Sequence, residues 1–139
     1  MTGLRPVAEL MYVDFITLAM DQLVNQAAKI RYMFGGQISV PMMLRSQGGT
    51  GRSAAAQHSQ SLEAWVMHTP GLHLAVPADA TDAYVLIKHA LKLADPVVFL
   101  EHKGLYAQSF QFNPESALPW GRAKIIRSGN DCSIICYSR

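Results

Sequence analysis

Short apolar segments alternate with amphipathic stretches along most of this chain, and this alternation restricts the possible folds more than any other feature. Apolar runs predict strands over residues 5–11, 40–45, 72–76 and 97–101. Helical spacing predicts a helix over residues 14–34 that Asp14 caps, with an apolar face formed by Phe15, Leu18, Leu23, Ala27, Ile30 and Met33. It also predicts a helix over residues 59–67 and a third that Asp79 or Thr81 caps and that ends near residue 93. Alternation of this kind produces right-handed parallel crossovers. We therefore predict an α/β fold, a three-layer sandwich with a mainly parallel sheet.

The last part of the chain follows a different pattern. Residues 102–121 have little periodicity and contain Pro114 and Pro119, which predicts a long surface connection. Two further apolar runs, 123–126 and 132–137, are predicted as paired strands. Cys132 and Cys136 lie in the second run. Four residues of strand span about 13 Å, too far for a disulfide, so we expect reduced thiols in the core.

Composition argues against several classes of protein. Half of the 139 residues are hydrophobic and only 16% are charged, which favours a surface that is covered by a partner. The net charge is +2 and the basic residues are scattered, so no nucleic-acid partner is expected. The apolar stretch 11–20 is interrupted by Asp14, followed by Asp21, and preceded by no basic leader. We expect neither a signal peptide nor a membrane span, and a cytosol-like compartment.

His58 is the main candidate for chemistry. It follows a glycine-rich loop, residues 48–51, and a run of three alanines, and it lies between Gln57 and Ser59. Glycine allows the backbone to turn at positive φ and a ligand to approach the main chain closely. Imidazole titrates near neutral pH and can act as an acid or a base. These properties predict a catalytic role for His58, although a histidine in an arbitrary protein is more often structural.

The same loop leaves a second interpretation open. Residues 49–54 match the Gly-x-Gly-x-x-Gly/Ala pattern, and Asp79 ends the next strand, as in a dinucleotide-binding fingerprint. In such a fingerprint the helix begins within the glycines, whereas here the helical pattern starts later, near His58. A nucleotide-binding module therefore remains the weaker alternative.

Two other polar features lie on predicted elements. Asp21, Asn25 and Lys29 are spaced four apart and predict a polar ladder on one helix face, more consistent with a helix-to-helix or subunit contact than with catalysis. Glu101 ends a predicted strand, at the edge of the sheet where α/β proteins bind ligands.

A series of short motifs runs in order along nearly the whole chain: Gly3-Leu4-Arg5-Pro6, Glu9-Leu10-Met11, Asp14-Phe15, Asp21-Gln22, Asn25-Gln26-Ala27-Ala28-Lys29, Tyr32-Met33, Gly35-Gly36, Ala55-Ala56-Gln57-His58-Ser59-Gln60, Pro70-Gly71-Leu72 and Pro96-Val97-Val98. Together these motifs resemble one family, the beta subunits of the thiamine diphosphate-dependent 2-oxo acid dehydrogenases that act on pyruvate or acetoin.

The resemblance implies a transketolase-like pyrimidine-binding domain that is truncated at both ends. Residues 1–121 would be the incomplete domain, and residues 122–139 the connecting strands toward a missing carboxy-terminal domain. The family's cofactor is thiamine diphosphate, with magnesium held mainly by an alpha subunit. The implied partners are that alpha subunit, a second beta subunit, and the lipoyl domain and core of the dihydrolipoyl acyltransferase. The implied compartment is the cytoplasm, or the mitochondrial matrix in a eukaryote.

The resemblance also assigns residues. His58 corresponds to the histidine that donates a proton during acyl transfer to the lipoyl group, and Phe15 to the aromatic residue that packs on the aminopyrimidine ring. Met42, Ala90, Leu91 and Asp95 fall near a monovalent-cation loop that binds potassium in some members. In this chain Leu93 and Asp95 replace the family's acid and amide in that loop. The cofactor-activating glutamate of the family lies upstream of Gly3, and Glu9 aligns with a different position.

The function implied is oxidative decarboxylation of pyruvate or a related 2-oxo acid, or acetoin cleavage, with acyl transfer to a lipoyl group. These residues alone are expected to be inactive because the activating glutamate is missing. A non-catalytic assembly partner of the alpha subunit is a further alternative.

Overall fold

Four parallel strands form a single sheet in the computed structural model, which describes residues 2–117 and 119–139. The strands are β1 (Val7–Leu10), β2 (Met43–Gly48), β3 (His73–Ala75) and β4 (Val97–His102). Their order across the sheet is β1-β2-β4-β3, and every neighbouring pair is parallel. The predicted α/β class with a parallel sheet is therefore confirmed.

The helices differ more from prediction than the strands do. The expected helix over 14–34 consists of a 3₁₀ helix (Val13–Leu18), a π-helical segment (Asp21–Ala27) and the helix α1 (Ala28–Met33). The other α-helices are α2 (Glu63–Met67) and α3 (Ala80–Ala90), and three short 3₁₀ helices cover Ala56–His58, Lys103–Leu105 and Pro114–Ser116.

Burial explains why the segment after β1 departs from a regular α-helix. A 3₁₀ helix has three residues per turn, which places Val13 and Ile16 on one line, and both are buried. In the π-helical segment that follows, the Ala28 amide donates to the carbonyl of Leu23, five residues earlier. Leu18 and Met33, which the α-helical spacing predicted on the apolar face, are instead 83% and 72% exposed.

The core lies on both faces of the sheet. Val98 and Leu100 of β4 pack on one face, with Val13, Ile16, Leu23, Leu44, Leu62 and Val66. Val97 and Phe99 pack on the other face, with Met43, Ala75 and Ala90. Successive residues of a strand point to opposite faces, so β4 contributes to both clusters and is buried on both sides. The helical elements thus cover the two faces of the sheet as outer layers.

Several elements begin at residues, or have caps, other than those predicted. β2 begins at Met43 rather than at residue 40, because Pro41 has no amide hydrogen for the ladder and Val40 donates to the Ala94 carbonyl instead. Asp79 caps α3 as predicted, with Oδ1 accepting from the Asp82 amide at 2.8 Å. Asp14 caps no helix. It lies within the 3₁₀ helix, and its Oδ1 accepts from the Gln60 amide at 3.2 Å.

The prediction of two strands near the carboxy terminus is wrong. Residues 123–126 and 132–137 form no strand, and Ile134 and Ile135 are 83% and 97% exposed. Cys132 and Cys136 are free and exposed, so the expectation of core thiols is wrong as well. A two-stranded ribbon without a layer to cover it is at best marginally stable, and these residues pack on no described layer. The boundary at residues 121 and 122 stays a prediction.

No helix within residues 2–117 and 119–139 has both the length and the apolar composition that crossing a membrane requires.

Candidate functional site

His58 lies beside two aromatic rings from the segment that follows β1. Its ring meets Tyr12 edge-on, with centroids 4.4 Å apart and planes at 70°. Phe15 is also edge-on to His58, at 5.5 Å and 89°. The structure therefore brings together the two residues, His58 and Phe15, for which the sequence predicted roles. Phe15 remains 39% exposed, so part of its ring is free for a further contact.

The backbone around His58 is unusual. Ser53 and Ala55 have positive φ values of 51° and 62°, and Ala55 precedes the 3₁₀ helix that ends at His58. Tyr12 also has a positive φ, 69°, and precedes the 3₁₀ helix that carries Phe15. Residues with side chains seldom adopt this conformation, and such residues cluster at functional sites. The sequence contains no glycine at these positions, so it carried no local signal for these turns.

Three buried side-chain oxygens have no hydrogen-bond partner among the described residues. They are Asp14 Oδ2, Ser59 Oγ and Glu63 Oε2. Asp14 and Glu63 are 6% and 8% exposed. A buried carboxylate oxygen normally has a hydrogen-bond donor, so these atoms mark where water or a ligand group would be accommodated. Sequence analysis identified neither Ser59 nor Glu63 as a site residue.

The glycine loop packs against protein rather than forming a phosphate cradle. The Gly49 amide donates to the Gln60 carbonyl at 3.1 Å, and the His102 ring occupies the space that a Gly49 side chain would need. The first α-helix after the loop is α2, which begins only at Glu63, and Asp79 is engaged as a helix cap. A dinucleotide fingerprint requires a helix that begins at the glycines and a free acid, so both conditions of that interpretation fail here.

Glu101 lies at the carboxyl end of β4, as predicted, and is held by two neighbours. Its Oε2 accepts from Arg45 Nη2 at 2.7 Å and from the Tyr106 hydroxyl at 2.7 Å. Arg45 also contacts Glu9 at 3.1 Å. The hydrogen bond to Glu101 is the main cause that raises the pKa of the Arg45 guanidinium. Partial burial, followed by the Glu101 hydrogen bond, raises the pKa of the Tyr106 phenol.

His102 is the second imidazole at this edge of the sheet. Its Nδ1 accepts from the Gly104 amide at 3.0 Å, which leaves Nε2 to carry the proton of the neutral ring. Burial, and then the positive charge of Arg139, lowers the pKa of His102, and Glu63 acts in the opposite direction. His102 and Glu101 line a cavity of about 210 Å³ beside the start of α3. Sequence analysis assigned no role to His102.

The predicted monovalent-cation loop is occupied by protein groups. The Leu91 carbonyl accepts from Arg5 Nη1 at 3.1 Å, and the Met42 carbonyl accepts from the Val97 amide at 2.9 Å. Asp95 pairs with Arg31 at 3.0 Å. Ala90 belongs to the core. A guanidinium beside these carbonyls repels a cation, so the residues present do not fit potassium. Within residues 2–117 and 119–139, no three His, Cys, Asp or Glu side chains group as metal ligands.

The predicted polar ladder is divided between two contacts. Asp21 Oδ1 accepts from Asn25 Nδ2 at 2.7 Å, within the helix. Lys29 Nζ instead donates to the Pro70 carbonyl at 2.7 Å, in the turn that precedes β3. Lys29 thus makes a helix-to-turn contact, which differs from the helix-to-helix or subunit contact that the ladder predicted.

Known proteins resemble this chain in sequence. A beta subunit of acetoin:2,6-dichlorophenolindophenol oxidoreductase from Cupriavidus necator is 47% identical over 137 residues, which are 97% of this chain and 40% of that protein. The mitochondrial pyruvate dehydrogenase E1 subunit beta-2 of Oryza sativa is 48% identical, over 99% of this chain and 38% of its own length. The E1 beta subunit of Rhizobium meliloti is 44% identical, over 99% and 30%. These relatives confirm the resemblance seen in the motifs, and the chain spans 40% of their length or less.

The fold also has a counterpart among solved structures. A split-gene transketolase, described as an inactive beta4 tetramer, superposes with a TM-score of 0.64 over 86% of this chain and 36% of its own, at 20% identity. The family model of the transketolase pyrimidine-binding domain matches residues 1–108, well over half of the chain. The parallel sheet and these matches agree, and the chain belongs to the transketolase pyrimidine-binding domain family.

Proposed function

We propose that this chain is part of the beta subunit of a thiamine diphosphate-dependent 2-oxo acid dehydrogenase, and that it provides the pyrimidine-binding wall of the active site. The observation that carries the proposal is the edge-on contact of His58 with Phe15, at 5.5 Å. The two residues to which the beta-subunit resemblance assigns roles are neighbours, although many residues separate them in the chain. The identity of 44% to 48% to beta subunits supports the same conclusion.

The described residues fit a heteroaromatic cofactor. Phe15 keeps 39% of its surface exposed next to His58, and aromatic rings pack favourably on one another face to face or edge to face. The unpartnered oxygens of Asp14 and Ser59 provide acceptors nearby. When bound, thiamine diphosphate supplies the carbanion chemistry that decarboxylates a 2-oxo acid. Phe15 would pack against the pyrimidine ring, and magnesium would be held mainly by an alpha subunit.

His58 would move a proton rather than bind the cofactor. Its imidazole is partly exposed, and an imidazole ring nitrogen can donate a proton as the acyl group passes to a lipoyl sulfur. Glu9 is assigned no cofactor role, because its carboxylate is paired with Arg45 at 3.1 Å and is 52% exposed. The family resemblance places the cofactor-activating glutamate upstream of Gly3 rather than at Glu9.

The substrate would be pyruvate, a related 2-oxo acid or acetoin. The partners would be an alpha subunit, a second beta subunit, and the lipoyl domain and core of a dihydrolipoyl acyltransferase. The assembly would work in the cytoplasm, or in the mitochondrial matrix of a eukaryote.

The proposal is tested with a complete beta subunit that contains these residues, assembled with its alpha subunit. Decarboxylation is followed with an artificial electron acceptor, and acyl transfer with a lipoyl domain. We expect His58→Ala to lower acyl transfer by about 100-fold or more and decarboxylation far less, as for loss of a general acid. His68→Ala is the matched control, because His68 is exposed and makes no ring contact with Tyr12 or Phe15. Equal losses in both steps would remove the role assigned to His58, and absence of decarboxylation in the unmodified assembly would refute the function.

A second candidate is a non-catalytic assembly partner of an alpha subunit. Apolar side chains near the carboxy terminus are exposed by 79% or more, namely Ile125, Ile126, Ile134 and Ile135. Large apolar side chains that are exposed to this extent favour an interface that a partner covers. Size-exclusion chromatography of the 139-residue chain with an alpha subunit tests this candidate. Co-elution without any decarboxylase activity would support it, and elution as separate species would exclude it.

A further inference from the structure

Lys103 lies directly over the ring that contacts His58. Its Nζ is 2.9 Å from the centroid of Tyr12, and the same ring meets His58 edge-on at 4.4 Å. Lys103 begins the short 3₁₀ helix that follows β4, whereas Tyr12 follows β1 and His58 follows the glycine loop. Three segments that are distant in sequence therefore meet through one aromatic ring.

The Tyr12 ring is the group that keeps the Lys103 ammonium in place. Lys103 is only partly exposed, and no carboxylate of residues 2–117 or 119–139 forms an ion pair with it. An ammonium over the face of an aromatic ring is attracted by the ring quadrupole, most strongly where water is partly excluded. Lys103 therefore has a stabilising contact only while Tyr12 keeps its present orientation.

Tyr12 needs such a contact because its backbone is strained. Its φ is 69°, an uncommon conformation for a residue with a side chain, and it is kept where surrounding groups enforce it. The Phe15 amide donates to the Tyr12 carbonyl at 3.1 Å, so the same turn also positions Phe15. Movement of Tyr12 would thus shift both rings that flank the imidazole.

We propose that Lys103 is a positioning residue for His58 and acts through Tyr12: the ammonium holds the tyrosine ring, and the ring fixes the orientation of the imidazole. The proposal deepens the proposed function, on which its catalytic meaning rests. The contact joins residues of this chain alone, so it is testable in the 139-residue chain.

The test measures the ¹H–¹³C signals of the His58 ring by NMR, assigned by their loss in His58→Gln. Neighbouring aromatic rings shift such signals, so the shifts report the ring orientation directly. We expect Lys103→Met to move the His58 signals and Lys103→Arg to restore them, since arginine also packs on aromatic faces. Lys124→Met is the matched control, because Lys124 is exposed and far along the chain from Tyr12 and His58. This variant should leave the His58 signals unchanged.

A double-variant cycle separates positioning from a general loss of stability. Tyr12→Leu should move the His58 signals even with Lys103 present, and adding Lys103→Met should then cause no further change. Unmoved signals in Lys103→Met, or independent and additive shifts in the double variant, would overturn the proposal. If Lys103→Met unfolds the chain, the His58 signals are compared between Lys103→Arg and Tyr12→Leu instead. Signal shifts of equal size in these two variants would overturn the proposal.

In the assembled enzyme, Lys103→Met should lower acyl transfer by about threefold to tenfold, and Lys103→Arg should recover most of that loss. If Lys103→Met leaves the His58 ring signals unmoved, Lys103 does not position His58, and the proposed function is unaffected. Loss of all activity in the unmodified assembly would refute the function and leave the NMR result unaffected.

Discussion

Arg45 of β2 donates from Nη2 to Glu101 Oε2 of β4 at 2.7 Å and joins two neighbouring strands near the edge of the sheet that carries the site. The same guanidinium reaches Glu9 of β1 at 3.1 Å, so it bridges three adjacent strands. The Glu101 side chain is 12% exposed and that of Glu9 is 52% exposed. The Arg45–Glu101 contact should therefore stabilise the fold more than the Arg45–Glu9 contact does.

Glu101→Gln should lower the free energy of unfolding by about 1–2 kcal/mol, because it removes a charge-assisted contact to Arg45 in a mostly buried position. Glu9→Gln is the matched control and should cost about 0–1 kcal/mol, since an exposed pair is screened by water. Urea unfolding followed by circular dichroism measures both. Equal losses for the two variants would contradict the stronger role of Glu101.

Tyr106 should make the chain sensitive to alkaline pH. Its pKa is raised above the ordinary value of 10, so the folded chain holds the phenol proton where the unfolded chain releases it. The stabilisation is complete below about pH 10 and is lost as the pH rises through the folded pKa. Unfolding free energies at pH 8, 9.5 and 10.5 should fall less steeply in Tyr106→Phe than in the unmodified chain. Parallel slopes would show that the phenol does not contribute.

His102 should make the chain sensitive to mild acid. Its pKa is lowered below 6.5, so the unfolded chain takes up a proton before the folded chain does. The resulting stability is present above about pH 6.5 and is lost as the pH falls through the folded pKa. His102→Gln should reduce the decrease in melting temperature between pH 7 and pH 5. His68→Gln, at an exposed position, should not change it, and a matching effect of the two variants would argue against His102.

Gly71 should not tolerate a side chain. Its φ is +97°, and a Cβ there would overlap the backbone carbonyl of Ala28, which has no rotamer with which to move away. Gly71→Ala should therefore cost about 3 kcal/mol or more. Gly36→Ala is the matched control, since Gly36 has a φ of +81° but open space around the Cβ position, and it should cost only about 1 kcal/mol. Thermal unfolding followed by circular dichroism compares the two.

Local patterns predicted some elements well and others poorly. Asp79 caps α3 as expected, because a cap depends on a few neighbouring residues. Asp14 has the same local signal, yet it lies inside a 3₁₀ helix and bonds to the Gln60 amide. Residues 132–137 have the apolar composition of a strand, but no described layer covers them. In these two cases the outcome depends on packing, which a local pattern does not contain.

The candidate site was predicted in part. His58 was predicted from its glycine-rich context and by resemblance, Phe15 by resemblance alone, and the structure brings them together at 5.5 Å. Tyr12, Lys103 and His102 had no distinguishing pattern, because a lone aromatic, lysine or histidine occurs in many structural contexts. Their importance comes from contacts such as that between Lys103 and Tyr12 at 2.9 Å.

The sequence by itself determined the parallel α/β architecture, since the alternation of apolar runs and helical periodicity decides which surfaces must be buried. It also determined the family, through motifs spread along the chain. Only the tertiary structure decided which polar and aromatic groups meet, as for His58 with Tyr12 and Arg45 with Glu101. The physical reason is that such contacts depend on strand register and on backbone turns at positive φ, and each joins residues from segments that have no local influence on one another.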